Sequence, residues 1–202
     1  KIWTRQKFLM LGQSGTGKSE FWGQGDKTLF VHMEPRLDHL RLMKIPEDRP
    51  VVDWAELMEV IGLLDAMKAN GSFPYDTIVV DTIDKVVYRI NEAVIEWAQE
   101  GKYKKYHAEH GINGIGDIPE GVGWFVAATY MSNFLEKLVS FPAAKVLIGH
   151  TKTTVNEKTK EEKDTISIGG QIGTMLLAWP DHTLHLRSKY DGDKITRMIR
   201  TL

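Results

Sequence analysis

Cysteine is missing from all 202 residues of the chain, which excludes disulfide bonds and thiolate chemistry. An excess of charge is missing too: 26 Lys+Arg stand against 27 Asp+Glu, for a formal net charge of -1. No overall basic field draws the molecule onto nucleic acid or a membrane surface, so any grip on DNA has to come from a local patch. Long apolar runs are absent, none approaching the ~20 residues that span a bilayer. The opening stretch KIWTRQKFLML sets basic residues before an apolar patch, as a secretory signal does. That patch is too short for one and runs straight into a glycine-rich loop, which excludes the reading. The first residue is Lys rather than Met, so a few native residues are expected to precede it. No internal repeat and no dividing linker is present. With 42% hydrophobic residues the chain can build a sizeable core, and one domain over 1–202 is expected.

The strongest local signal lies in LMLGQSGTGKSEF. Gly12, Gln13, Ser14, Gly15, Thr16, Gly17, Lys18 and Ser19 match the phosphate-loop pattern G-x-x-x-x-G-K-[ST] at every fixed position. Glycines let the backbone curl so that its N–H groups face phosphate oxygens. A helix opening near Gly17 adds its positive end. Lys18 would reach the β- and γ-phosphates, and the Ser19 hydroxyl would ligate Mg²⁺. The apolar strand before the loop and the helix after it separate the motif from a chance glycine-rich turn. ATP and Mg²⁺ are the expected ligands.

Apolar patterning predicts strands over Lys7–Gly12, Lys27–Glu34, Tyr75–Asp81 and Ala144–His150. Helical spacing runs through VDWAELMEVIGLLDAMKANG, from about Thr82 to Gln99, and from Phe125 to Phe141. A short helix is expected in GGQIGTMLLAWP. The segment GKYKKYHAEHGINGIGDIPEGVG has six glycines and no periodicity and reads as a long loop. Thr151–Ser167 is polar and reads as a second long, mobile loop. HTLHLRSKYDGDKITRMIRTL alternates on both sides of Asp191-Gly192, which is a hairpin signal. Strands alternating with helices predict an α/β fold: a mainly parallel sheet flanked by helices, with an antiparallel C-terminal hairpin at its edge.

Three polar residues end predicted strands. Asp81 closes TIVVD, where a phosphate-loop NTPase needs an acid to hold the Mg²⁺ water shell. Its plainer role is capping the next helix. Glu34 ends the second strand. It would orient or deprotonate the attacking water if the second and third strands flank the loop strand; otherwise it is a surface glutamate. His150 ends the fourth strand, where ligands bind in open α/β sheets. It would bond the γ-phosphate and report it to the following loop, or be a satisfied core histidine.

In order as well as kind, these residues resemble the RecA-like recombinase family. After the phosphate loop, FVHMEPRLD looks like the family's strand ending in a catalytic glutamate, and TIVVDTIDKV like its magnesium-aspartate strand. ISIGGQIGTMLLAWPDHTLHLRSKYDGDKITRMIR resembles the segment after the second DNA-binding loop of archaeal and eukaryotic strand-exchange recombinases. Two departures stand out. The N-terminal domain and polymerisation segment of the large recombinases are not expected here, which argues against long filaments. GHTK stands where the family has a glutamine sensor, and this puts the usual coupling of ATP to DNA in doubt. Both features resemble the small, core-only RecA-like ATPases of phages, AAA-type ATP-binding proteins linked to single-strand annealing and recombination. The resemblance implies Glu34 as catalytic base, His150 as sensor, and a cytoplasmic, phage-encoded protein in a bacterial host.

Partner contacts are placed on local features. GKYKKYH interleaves Lys102, Lys104 and Lys105 with Tyr103 and Tyr106, so lysines would pair with phosphates and tyrosines stack on bases. The bland alternative is a solvated helix end. In the second loop acids cancel the lysines, and Lys152, nearest the sensor, is the best candidate there. In RecA-like assemblies a basic residue enters the ATP site from a neighbouring subunit. Arg187 and Lys189 are candidates, unless they only pair with Asp191 or Asp193. The expected function is Mg²⁺-dependent, DNA-stimulated ATP hydrolysis. It would serve single-stranded DNA binding in recombination and repair, by a homo-oligomeric ring or short filament, with a single-strand-binding protein as a possible partner. The alternative is an ATP-driven switch on a protein partner, a helicase loader or regulatory ATPase, without direct DNA binding.

Overall fold

The computed structural model describes residues 5–155, 162–191 and 194–201; the side chains of 154–163 and 189–195 lie outside that description. The described strands are β1 (Lys7–Gly12), β2 (Thr28–His32), β3 (Met43–Ile45), β4 (Thr77–Asp81), β5 (Ala144–Val155), β6 (Glu162–Ile166), β7 (His182–Asp191) and β8 (Lys194–Thr201). The described helices are α1 (Lys18–Trp22), α2 (Trp54–Ala69), α3 (Ile83–Glu100), α4 (Lys104–His110), α5 (Val122–Val139) and α6 (Gly170–Ala178). The sheet order is β3-β2-β4-β5-β1-β7-β8, with β6 paired to β5 off this path. Pairs from β3 across to β7 are parallel. β5–β6 and β7–β8 are antiparallel.

The central strands are apolar on both faces because both faces are covered. Leu9 and Leu11 of β1, with Ile78 and Val80 of β4, join the larger core. Their neighbours Phe8, Met10 and Val79 point the other way, into a smaller core. The larger core is roofed by α2, α3, α5 and α6 through buried Leu57, Leu64, Ile90, Phe134 and Leu176. The smaller one is covered by Trp22 of α1 and by Leu37, Leu40 and Leu42. Asp53 caps α2, accepting from the Glu56 amide at 2.8 Å. Among the described residues no helix is long and apolar enough to cross a membrane.

The mainly parallel sheet and its C-terminal hairpin are as expected, and four details differ. The second and third predicted strands do not flank β1: its neighbours are β5 and β7, and β5 separates β1 from β4. The glycine-rich stretch after α3 is not one loop. It holds α4 and short 3-10 turns at Ile115–Asp117 and Pro119–Gly121. Tyr103, Ile112, Ile115 and Ile118 are irregularly spaced yet all buried in the larger core, which is why periodicity missed them. Thr151–Ser167 is not a loop throughout. β5 continues to Val155 and pairs with β6 from Thr151↔Ile166 to Val155↔Glu162. Its threonines favour extended backbone, but with little apolar content they give no alternation to read. The short edge strand β3 was not foreseen.

Two glycines give opposite expectations. Gly62 lies mid-helix in α2, with nothing within 4 Å of an added Cβ. Gly123 lies in the first turn of α5, where an added Cβ would sit 2.5 Å from the Ile115 carbonyl oxygen and 2.8 Å from Ile118 Cδ1. In denaturant unfolding, Gly62→Ala should stabilise by about 0.5–1 kcal/mol. Gly123→Ala should destabilise by about 1–3 kcal/mol, reversing the helix-propensity rule.

Candidate nucleotide-binding site

Register brings the predicted residues together. Gly12 of β1 lies level with His150 of β5, and Asp81 of β4 with Ile148. His32 of β2 lies level with Asp81, which puts Glu34 just past the same sheet edge. A cleft at this edge is lined by Ser14 to Ser19, Glu34, Arg36, Asp81, Thr82 and His150.

The loop has the geometry its glycines permit. Gly15 and Gly17 have φ of 77° and 89°, a region side chains disfavour. At Gly12 a Cβ would lie 2.5 Å from the Leu186 carbonyl oxygen, so the close pass of β7 requires glycine there. Thr16 Oγ1 donates to the Gln13 carbonyl at 2.9 Å and closes the turn. Lys18 Nζ donates to the carbonyls of Gly12 at 3.0 Å and Gln13 at 2.9 Å. Burial lowers the Lys18 pKa, against the opposing pull of Asp81, Asp84 and Glu34.

Two carboxylates face the lysine. Asp81 accepts a short hydrogen bond from the Ser19 hydroxyl. Burial pushes its carboxyl up to about 6, the Ser19 bond opposing and the Glu34 charge adding to the rise. Glu34 Oε1 accepts from Thr82 Oγ1 at 3.0 Å, and Thr82 is itself buried. Ser19 and Asp81 thus meet as a hydroxyl–carboxylate pair suited to a hard cation. Among the described residues no cluster of three His, Asp or Glu forms a metal cage. That fits a Mg²⁺ held mainly by phosphate and water, with a hydroxyl and one carboxylate from the protein.

His150 is held by Asp84, which the sequence reading did not single out. Asp84 Oδ2 accepts from the His150 backbone amide at 3.0 Å and lies 3.2 Å from its Nδ1. Asp84 Oδ1 accepts a short bond from the Ser167 hydroxyl, just past β6. Burial pushes the Asp84 carboxyl up, but the bonds from His150 and Ser167 outweigh it and the net shift is down. One carboxylate therefore ties the strand end at the cleft to the base of the β5–β6 hairpin. Its signal in sequence was its place in the first turn of the helix after Asp81, where a cap is the ordinary explanation.

The predicted partner residues are elsewhere. Lys102, Lys104, Lys105 and Tyr106 are exposed, on and before α4. Tyr103 is not: its ring is buried edge-on against Trp97, with 6.1 Å between centroids. It belongs to the core and offers no face to a base. Lys104 and Lys105 open α4 rather than end a helix. Lys152 is exposed on β5. Arg187 is held in a short ion pair by Asp164 of β6, and the side chains of Asp191 and Asp193 lie outside the described ones. The Lys189 side chain lies outside the described ones. Two arginines were missed: Arg36, which donates to the Ser14 hydroxyl, and Arg197, which pairs with Glu20 at 2.8 Å and lies against Gly17.

Comparison with known proteins bears on family and fold. The family model described as "AAA domain" matches residues 4–202. No curated protein matches the chain. Among solved structures the chain is similar to a KaiC-like protein from the hyperthermophilic archaeon Pyrococcus horikoshii OT3. The TM-score is 0.53 at 13% identity, over 98% of this chain and 79% of that one. That likeness bears on the fold alone. The match over nearly the whole chain shows that it belongs to the AAA domain family, as an ATPase domain built on a RecA-like phosphate-loop core.

Proposed function

We propose that this protein hydrolyses ATP with Mg²⁺ and uses the cycle to control binding of single-stranded DNA, in support of annealing or strand exchange. The observation that carries the ATPase reading is the convergence of Lys18, Ser19, Glu34, Asp81 and His150 on one cleft. Loop amides and Lys18 hold the phosphates and stabilise the charge that develops on the γ-phosphoryl group. Glu34 orients the attacking water in line, its carboxylate positioned by the Thr82 hydroxyl. The Ser19 hydroxyl and the Asp81 carboxylate would hold Mg²⁺, which would supply neutralisation of the phosphate charge. His150 senses the γ-phosphate, and Asp84 passes its position to the β5–β6 hairpin through Ser167. Lys152, two residues on along β5, lies on the same strand face as His150.

Exposed Lys102, Lys104, Lys105 and Tyr106, with Lys152, are the DNA contacts in this reading. Assembly into a ring or short filament would bring Arg187 toward a neighbour's site once it leaves Asp164, and a single-strand-binding protein is a candidate partner. A second reading, an ATP-driven switch on a protein partner, is favoured by the near-neutral charge and by the burial of Tyr103.

Glu34→Gln should lower the hydrolysis rate by about 10²–10⁴-fold while ATP binding persists; a wild-type rate would remove Glu34 from the mechanism. Hydrolysis should rise with single-stranded DNA, less so at higher salt, with Lys18→Ala as the blank. The triple variant Lys102/Lys104/Lys105→Ala should lose that rise. A rate indifferent to DNA, with no DNA binding in ATP, favours the protein-partner switch. Asp81 gives a third expectation. Burial raises its folded pKa to about 6, above the ordinary aspartate range, so its contribution to stability is lost as pH rises through about 6. Without nucleotide or metal at pH 8, Asp81→Asn should stabilise the fold by on the order of 1–3 kcal/mol in denaturant titrations, and this gain should shrink toward pH 4. The same variant should lose Mg²⁺-dependent hydrolysis.

A further inference from the structure

Four arginines of the described chain are neutralised in place. Arg49 pairs with Glu56, Arg89 with Glu92, Arg187 with Asp164 and Arg197 with Glu20. Arg36 is different. Its Nη1 donates to the uncharged hydroxyl of Ser14 in the phosphate loop. Among the described residues no carboxylate lies within ion-pair distance of it. It is exposed, and it lines the same cleft as Lys18 and Glu34.

The backbone that carries Arg36 is well anchored. Pro35 opens the 3-10 turn Pro35–Leu37 and sets its first φ. The Leu37 amide donates to the Glu34 carbonyl at 3.2 Å, and that of Asp38 to the Pro35 carbonyl at 3.0 Å. The Leu37 side chain, 2% exposed, is buried in the smaller core. A turn pinned on both sides of Arg36 thus presents a guanidinium to Ser14 of the phosphate loop, in the cleft that Lys18 also lines.

We propose that Arg36 is a phosphate-binding arginine supplied by the chain's own turn, which leaves Ser14 to bind the terminal phosphate of ATP. The proposal rests on the ATPase reading above and adds to it the group that distinguishes ATP from ADP. Exchanging a neutral hydroxyl for a phosphate oxygen replaces an ordinary hydrogen bond with a charge-assisted one, and the guanidinium fork has further donors for a second oxygen. The terminal phosphate is the target because Arg36 stands two residues from Glu34, the group that addresses the water attacking that phosphate. Lys18 and Arg36 would then both contact that phosphoryl group, and both come from this chain.

The test is calorimetric titration of the full chain and its Arg36→Ala and Arg36→Lys variants with ATPγS and with ADP, alongside steady-state hydrolysis. Arg36→Ala should weaken ATPγS by about tenfold or more and change ADP by less than about twofold. Its kcat should fall by about 10²-fold or more. Arg36→Lys should recover affinity only in part, because an ammonium lacks the planar fork. Equal weakening of both nucleotides, or unchanged ATPγS affinity and kcat, would overturn the proposal while leaving the ATPase reading intact. A wild-type chain that binds neither nucleotide would overturn the ATPase reading, and this proposal with it. Thermal melts of the variants separate lost binding from lost folding, since an exposed Arg36 should leave the melting temperature unchanged.

Discussion

Parallel register among β1, β5 and β4 is the constraint on which the rest of the site depends. A parallel ladder aligns strands of one polarity, so the ladder among β1, β4 and β5 ends at one edge of the sheet. Gly12, His150 and Asp81 arrive there from stretches far apart in the chain, level to within a residue or two. Burial of both sheet faces holds that register, because a one-residue slip would exchange Leu9 and Leu11 with Phe8 and Met10 between two unequal cores. The phosphate loop could curl alone, but without this alignment Lys18 would face no carboxylate.

The site's electrostatics follow from the same alignment. A buried ammonium and a buried carboxyl are each costly, and here each shifts toward its neutral form: Lys18 down, Asp81 up. Phosphate and a divalent cation are the charges that reverse both shifts, since one rewards a charged lysine and the other an ionised aspartate. The cleft thus carries groups whose charged forms burial disfavours, as polar sites that trade stability for function are expected to do. Arg36 belongs to the same economy, a cation kept at the rim where water still solvates it.

Asp84 extends the site beyond the cleft. Its two oxygens serve His150 on one side and Ser167 on the other, so the strand end and the hairpin base share one carboxylate. In the proposed cycle, a shift of His150 toward a phosphate would change what Asp84 offers Ser167. In the described part of the hairpin the exposed residues are polar, and Ile166 at its base is anchored in the larger core.

Much of the fold was legible because its signals are local. The strand over Lys7–Gly12 matches β1 residue for residue, and the helices α2, α3 and α5 lie within a few residues of their predicted spans. Strand apolarity, helical spacing and Asp191-Gly192 each act through neighbours in the chain. The phosphate loop, Asp81, Glu34 and His150 were legible for the same reason, as polar residues that end apolar strands. What failed was non-local. The insertion of β5 between β1 and β4 depends on which crossover packs best, and no window of sequence contains that comparison. Tyr103 read as an exposed stacking ring because its neighbours are lysines, yet its own side chain fills the core beside Trp97. Asp84 and Arg36 looked like a helix cap and a turn cation until folding placed His150, Ser167 and Ser14 against them. By itself the sequence determined a phosphate loop in a parallel α/β domain, since steric and periodic rules act over a few residues. Only the tertiary structure decided which acids, histidine and arginine share its cleft, because that depends on contacts between residues as many as 66 positions apart.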